Sequence, residues 1–131
     1  MSQIRLESLV LAIGKQNGAF DMPSNKAFLL RNPLLLKTHR PEKKVDSEHY
    51  RVFTSIMGGF KAGMADLEAK CSGKNHRLTP NNTLADLLKM FGFERETETR
   101  PIVLFLRRAL HDDSVGLNTI LSWFEEDIKE I

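Results

Sequence analysis

The amino-acid sequence predicts an all-α fold in which residues 1–131 form a single helical domain. We expect a bundle of about five helices around one long central helix at about 47–71, with an irregular, proline-broken segment at 19–45. In several stretches apolar residues recur at intervals of three and four, the spacing that turns one face of an α-helix towards a core. No stretch alternates like a convincing strand, and no segment repeats. A chain of 131 residues is long enough to form its own core.

The chain begins with a short amphipathic helix and continues into its least regular part. Ser2 is predicted to cap the first helix and Asn17-Gly18 to end it, because glycine past the last turn adopts the left-handed conformation without strain. In the segment that follows, Ser24 is expected to open a short helix at 26–31. The leucines of this segment are expected to pack onto the domain and its cations to face solvent. Three of the five prolines interrupt it: Pro23, Pro33 and Pro41.

The longest unbroken helical period runs from Asp46 or Ser47, either of which is predicted to be the N-cap, to Cys71. Glycines inside a helix cost about 1 kcal/mol each relative to alanine, so packing or function has to offset them in this stretch. On a helical wheel, a strip of small residues lies roughly opposite the bulky apolar strip. We predict that this small strip is a helix-packing or interface surface, and it contains Gly58, Ala62, Ala65 and Ala69.

Three interpretations of the small strip are open on the sequence alone. It would allow close packing against another helix of the same chain, which is the ordinary outcome in water. The adjacent glycines would also allow a kink at 58–59. The third interpretation is a contact with a second copy of the chain or with a ligand.

Three further helices are predicted in the second half of the chain. Thr79 as N-cap and Pro80 at the first helical position start one that ends at Gly92. Pro101 is expected to open the next, which reaches residue 110, after a charged linker or frayed first turn at 94–99. The last helix, at about 117–131, is predicted to bury the following residues: Leu117, Ile120, Leu121, Phe124 and Ile128.

The net charge is small, but the cations are unevenly distributed. With 19 lysines and arginines against 17 acids, the formal charge of +2 predicts no polyanionic partner by itself. The excess lies at 26–44 and 74–77, where cations on partly anchored loops can contact phosphates without reading sequence. An accessory nucleic-acid-binding function would use Lys37, Arg40, Lys43, Lys44, Lys74 and Arg77. The other interpretation is a solvated basic face that balances the acidic last helix.

Few residues suggest catalysis, and we predict no catalytic residue, cofactor or metal ligand. Cys71 lies on the apolar face of the long helix and is the single cysteine, which indicates an inert buried thiol and excludes an intrachain disulfide. His111-Asp112 resembles the metal-binding dipeptide of HD-type phosphohydrolases, which would imply a small metal-dependent hydrolase. The chain ends too soon after this dipeptide for the further helices that such a site needs.

A helix-turn-helix is a further candidate, because residues 84–93 and 97–110 resemble two helices joined at a glycine. Leu88 occupies the position where that motif has a small residue. Pro101 also lies where the recognition helix should already be running. An ordinary pair of packed helices is therefore favoured.

The function that these observations favour is a non-enzymatic helical binding or regulatory module acting through protein–protein contacts, including self-association. Contact with nucleic acid is the alternative, and the metal-dependent hydrolase is the remote one. Met1 starts no signal peptide and no apolar run is long enough to cross a bilayer. We therefore expect a soluble, cytoplasmic protein without a membrane partner.

Overall fold

The computed structural model describes residues 3–75 and 77–128 and confirms the all-α class. Within these residues the β-structure is limited to three isolated bridges, and no sheet forms. In the same part of the chain, no helix is both long and apolar enough to cross a membrane. A 3-10 helix, Leu121–Ile128, follows five α-helices: α1 (Ile4–Gln16), α2 (Lys26–Leu29), α3 (Ile56–Ser72), α4 (Leu84–Met90) and α5 (Glu96–Leu110).

The core is centred on α1 as well as on the long helix α3. α1 packs against α5, α3 and the 3-10 helix, and its residues Leu6, Leu9 and Ile13 are fully buried. α3 packs against α1 and the 3-10 helix, but Ile56 and Met57 at its N-terminal end stay exposed. The long helix therefore shares the centre of the bundle with α1, and the start of its first turn is exposed.

α3 also begins later than the predicted long helix, because local turns occupy its expected first part. Neither Asp46 nor Ser47 caps a helix. The Asp46 Oδ1 atom instead accepts hydrogen bonds from the backbone N–H groups of Glu48 and Tyr50, both at 3.0 Å, which closes a turn. Ser55 is the N-cap, since its hydroxyl oxygen accepts a hydrogen bond of 3.0 Å from a backbone N–H of the first turn.

The irregular segment packs over α3, and two glycines of α3 make room for it. A Cβ atom on Gly59 would lie 1.9 Å from the carbonyl oxygen of Arg31. A Cβ atom on Gly63 would lie 3.2 Å from the side chain of Leu34 and 3.3 Å from that of Val10 on α1. A close approach to this helix therefore occurs at Gly59 and Gly63, which lie outside the small strip for which it was predicted, and the element that comes nearest is a loop.

Asn32 fixes the course of this loop. Its fully buried side chain donates hydrogen bonds to the carbonyl oxygens of Leu36 and Arg51, each at 3.0 Å, and accepts one from the Leu36 N–H at 2.9 Å. The amide thus satisfies its own polar atoms together with those of the backbone around it. An isolated bridge between Lys37 and Tyr50 continues this pairing, so the loop and the chain before α3 form one hydrogen-bonded unit.

The start of α4 also differs from the prediction. α4 follows Thr83 rather than Thr79, because Thr83 and Asp86 bond to each other's backbone N–H groups as a capping box, at 3.4 and 3.0 Å. Thr79 and Pro80 lie in the preceding turn, where the Thr79 N–H donates to the Asn82 Oδ1 atom at 2.7 Å. The Thr-Pro signal therefore marks a turn here, and the helix starts one turn later.

α5 begins before Pro101, which lies inside the helix instead of opening it. The start is fixed by Glu98, whose carboxylate accepts a hydrogen bond of 3.1 Å from the backbone N–H of Arg95. The charged stretch before the proline was expected to be either a linker or a frayed first turn. In the structure it forms the first turn of α5. Pro101 lies in the second turn, where it removes one intrahelical backbone hydrogen bond.

The predicted last helix is wrong for its first part. The carbonyl oxygens of Leu117 and Thr119 accept hydrogen bonds from free N–H groups at the start of α4, at 3.0 and 2.8 Å, so the chain there follows a turn. Leu121 and Phe124 are fully buried as predicted. Leu117 and Ile120 are partly exposed instead, at 37% and 43%. The predicted burial of Ile128 and the helix beyond it lie outside the part of the chain that can be described.

Candidate functional site

The first candidate site is a group of exposed apolar side chains at the N-terminal end of α3. A cavity of about 420 Å³ is lined by Ala19, Phe20, Phe28, Leu29, Arg31 and Ile56. We call its four large apolar members, which are 37–62% exposed, the apolar surface: Phe20, Phe28, Leu29 and Ile56. They come from the turn after α1, from α2 and from the first turn of α3. Single exposed apolar residues are ordinary, but a contiguous group marks an interaction surface.

Two local features turn these side chains outwards. In the short helix α2, the small residue Ala27 is fully buried, whereas the bulky Phe28 and Leu29 are exposed. This is the reverse of the usual amphipathic arrangement. The Phe20 ring lies against Gly14, where a Cβ atom would be only 2.8 Å from it. The fold therefore holds aromatic and aliphatic groups at the surface in fixed positions.

The second candidate site is a cleft beside α3, formed by two cavities that share Leu36, Lys37 and Asp66. The larger cavity has a volume of about 700 Å³ and the smaller one about 330 Å³. Six cations line them, and we call the whole the basic cleft: Lys37, Arg40, Lys43, Arg51, Lys70 and Arg77. Asp66 is the one acid among the lining residues.

Most cations of the basic cleft pair with no carboxylate in the part of the chain that the structure describes. Among the described residues, the ion pairs include one member of the six, Lys70, which contacts Asp66 and is only 9% exposed. The Lys37 Nζ atom lies 4.4 Å from the centre of the Tyr50 ring, and the Arg51 guanidinium lies 4.6 Å from another aromatic ring. Cation–π contacts position a charge without neutralising it. The cleft therefore keeps an excess of positive charge.

Lys26, which lies near the cleft, differs from these cations because it has carboxylate partners. Lys26 lies within ion-pair distance of both Asp46 and Glu48, and its Nζ atom is also 4.9 Å from the centre of the Tyr50 ring. The hydrogen bonds to Glu48 and then to Asp46 raise the pKa of Lys26. This cation is therefore compensated inside the chain and is not part of the basic cleft.

Four of the six residues predicted to bind nucleic acid lie in the basic cleft: Lys37, Arg40, Lys43 and Arg77. Lys44 does not line it. Lys74 does not line it either, and its Nζ atom is 3.9 Å from the Glu68 carboxylate. Sequence reasoning missed Arg51 and Lys70, because neither belongs to a dense run of cations. It also missed the apolar surface, whose residues follow no regular spacing.

The small strip of α3 is divided between two environments. Ala62 and Ala65 line the smaller cavity of the basic cleft, and Ala65 is exposed. Gly58 and Ala69 are half-buried and do not line the cleft. The nearest neighbour of a Cβ atom on Gly58 would be the Ser55 Oγ atom at 3.3 Å, which belongs to the cap of the same helix. No helix of the described chain approaches at Gly58, and an interface on this strip stays a prediction.

Cys71 is fully buried in the core, next to the residues of α1 and α5 that form it. Burial, and then the charge of Glu125, raise the pKa of its thiol from 9.0 to about 12. A thiol with that pKa stays protonated at neutral pH and is a poor nucleophile. The side chain therefore packs as a small apolar group.

His111 and Asp112 form the turn after α5. His111 takes the left-handed conformation, with a φ of 51°, at the C-cap of the helix. The Asp112 carboxylate accepts hydrogen bonds from the Ser114 hydroxyl and from its backbone N–H, and these bonds lower the pKa of Asp112. Across residues 3–75 and 77–128, no three His, Cys, Asp or Glu side chains are arranged to hold a metal ion.

α4 and α5 correspond to the two helices of the helix-turn-helix candidate. The Arg107 side chain on α5 donates a hydrogen bond of 2.6 Å to the Val115 carbonyl oxygen, which ties it to the following loop. Arg100 and Arg108 are exposed. None of these three arginines lines the basic cleft.

Comparisons of this chain with known protein families, with curated proteins and with solved structures give no match. A function therefore has to be argued from the apolar surface and the basic cleft themselves.

Proposed function

We propose that this chain is a non-enzymatic helical binding module that acts through a protein–protein contact at the apolar surface. One observation carries the proposal: four large apolar side chains from three parts of the chain lie exposed around a single cavity. Removing apolar area from water is favourable by about 25 cal/mol per Å², so a partner that covers these side chains gains free energy. The cytoplasm is the proposed compartment, because the free, buried Cys71 suits reducing conditions.

The composition of the apolar surface suits the centre of an interface. Phe20 and Phe28 supply aromatic area with few rotatable bonds, and such anchors contribute most to binding. Four side chains at these exposures present an apolar area on the order of 300 Å², less than the roughly 800 Å² per partner of a standard interface. Residues around them must therefore take part. Met57, which follows Ile56 and is 58% exposed, is suited to this role because methionine adapts to different shapes.

The cavity also indicates the chemistry of the partner. Arg31 is the charged residue among those that line it, and it enters no ion pair with the described residues. We therefore propose a partner segment that carries apolar side chains next to a carboxylate. A two-fold contact between copies of this chain, centred on the cavity, would bring two Arg31 side chains together. A different protein is for this reason the favoured occupant.

Site-specific photo-crosslinking in the native host cells tests this proposal. Leu29, which is 62% exposed, is replaced by the photoreactive residue benzoylphenylalanine. Leu104 on α5, which is 44% exposed and does not line the cavity, is the matched control position. We expect an adduct of one discrete mass from position 29 and none from position 104.

The partner identified from that adduct is then purified and its affinity for the wild-type chain and for Leu29→Asp is compared. We expect Leu29→Asp to weaken binding at least tenfold, because it places a desolvated charge in the contact. Adducts from both positions in equal yield would contradict the proposal, as would an unchanged affinity. An adduct with the mass of two copies of the chain would contradict the acidic partner and identify self-association.

A further inference from the structure

Two basic segments that are far apart in the sequence meet in the basic cleft. Lys37 from the loop over α3 and Arg77 from the connection after α3 line the same cavity of about 700 Å³. Arg40, Lys43 and Arg51 continue the positive lining into the smaller cavity. We infer that the basic cleft binds a single strand of nucleic acid through its phosphates. This function goes beyond the protein contact at the apolar surface and uses different residues.

The charge of the cleft is out of proportion to that of the chain. Six cations and one acid give the lining a formal charge of +5, while the whole chain carries +2. The remainder is therefore net negative, at −3 from the difference of these two values. A ligand with a single anionic group needs one or two cations, whereas five cations that pair with no carboxylate of the described residues match several phosphates.

The cations at the centre of the cleft are held in place before any ligand arrives. Arg51 is tied through its carbonyl oxygen to buried Asn32, and its N–H donates to the Leu36 carbonyl oxygen at 2.8 Å. Lys37 is bridged to Tyr50 through the backbone and lies over its ring. Binding therefore needs little reorganisation of the loop, which lowers the entropic cost of forming the complex.

The shape of the cleft favours a single strand over a duplex. Proteins that recognise double-stranded DNA insert a protruding helix or β-ribbon into a groove of the duplex. Here the cations line a concavity, and the small side chains of Ala62 and Ala65 belong to its lining. A single strand, which is thin and flexible, follows a positively charged groove of this kind.

The cleft should bind with little preference for base sequence. Tyr50 and Phe91 are its partly exposed aromatic residues. Both Lys26 and Lys37 already lie over the Tyr50 ring, at 4.9 and 4.4 Å. Phe91 lies beneath Lys70, whose Nζ atom is 4.7 Å from the ring centre. Stacking platforms for bases are therefore few, and phosphate contacts dominate.

Fluorescence anisotropy with labelled oligodeoxythymidine and oligouridine of about 12 nucleotides tests the inference on the full chain. Binding to either strand supports it. With five phosphate contacts, the slope of log K against log salt should be about −3.5, which is roughly a hundredfold loss of affinity between about 50 and 200 mM salt. A duplex of the same length should bind more weakly.

Two double variants distinguish binding in the basic cleft from non-specific attraction to positive charge elsewhere on the chain. Lys37→Gln with Arg77→Gln removes two cations from the basic cleft. Lys44→Gln with Lys74→Gln removes two from the same sequence segments but outside the cleft. The cleft pair should lose at least tenfold in affinity and reduce the salt slope by about 1.4, while the control pair stays within about threefold of wild type.

A substitution in the lining of the cleft provides a second, independent test. Ala65→Glu adds a carboxylate at an exposed helical position among the cations, and Ala109→Glu adds one at an exposed position of α5 away from them. Ala65→Glu should reduce strand binding at least tenfold and Ala109→Glu should leave it unchanged, with equal thermal stability. Equal losses in both double variants, no binding at low salt, or tighter binding of duplex would overturn the inference.

Discussion

Gly59→Ala tests whether the loop over α3 is held as closely as the structure shows. The added Cβ atom would lie 1.9 Å from the Arg31 carbonyl oxygen and 2.9 Å from the Pro33 Cδ atom, where ordinary contact begins at 3.4 Å. The carbonyl would have to retreat by about 1.5 Å. Overpacking lowers the free energy of unfolding by about 1–3 kcal/mol, and the better helix propensity of alanine raises it by about 1 kcal/mol. Because a backbone carbonyl yields less than a flexible side chain, we expect a net loss of about 2 kcal/mol in the free energy of unfolding.

Urea unfolding followed by circular dichroism measures this loss, and the neighbouring glycine is the control. Gly58→Ala meets the Ser55 Oγ atom at 3.3 Å and little else, so its free energy of unfolding should stay within about 1 kcal/mol of wild type. Gly59→Ala should also weaken strand binding, since the displaced loop carries Lys37. The reasoning is refuted if Gly59→Ala is as stable as wild type, or if Gly58→Ala loses as much.

Four further predictions concern Asn32, Cys71 and Asp66. Asn32→Ala should lower the free energy of unfolding in urea by about 3 kcal/mol, because it leaves two backbone carbonyls and one N–H of the loop without this partner; an unchanged midpoint would contradict it. Cys71 should resist a thiol reagent at about pH 8 until the chain unfolds, because burial raises its pKa to about 12 and keeps it protonated. The stability linked to this thiol is fully present below its ordinary pKa of 9.0 and is lost as the pH rises towards about 12, so the unfolding midpoint should fall over that range. Asp66→Asn should tighten strand binding several-fold by removing the acid of the cleft, and should lower stability because Lys70, 9% exposed, loses its partner; weaker binding in anisotropy would contradict it.

The helices themselves could be predicted from the sequence, but several of their starts could not. Apolar spacing is a property of a whole stretch, so it locates a helix reliably and its ends poorly. Asp46 followed by Glu48 fits a helix N-cap and a side-chain turn equally well, because both use a carboxylate oxygen to accept a backbone N–H. In the structure the Asp46 carboxylate accepts hydrogen bonds from the N–H groups of Glu48 and Tyr50, which form a turn. This turn is supported by the bridge between Tyr50 and Lys37, and Lys37 belongs to another segment that local sequence does not reveal.

The candidate sites were predictable to different degrees. Cations that cluster along the chain are visible in the sequence, which is why Lys37 and Arg77 could be proposed together. Their convergence with Lys70 depends on the fold, and no local pattern carries that information. The expectation that the leucines of the irregular segment pack onto the domain is correct for Leu34 and wrong for Leu29, which is 62% exposed. A leucine that forms an interaction surface has the same local signature as one that forms a core.

The contact at the apolar surface is tested most directly by one crosslinking measurement. Benzoylphenylalanine replaces Phe28, and the yield of the partner adduct is compared in the wild-type background, in Leu29→Asp and in Leu104→Asp, after confirming equal stability. We predict that Leu29→Asp removes the adduct and that Leu104→Asp leaves its yield unchanged, since the two leucines are both exposed but only Leu29 lines the cavity. The same yield from all three proteins would contradict a protein–protein contact at this surface.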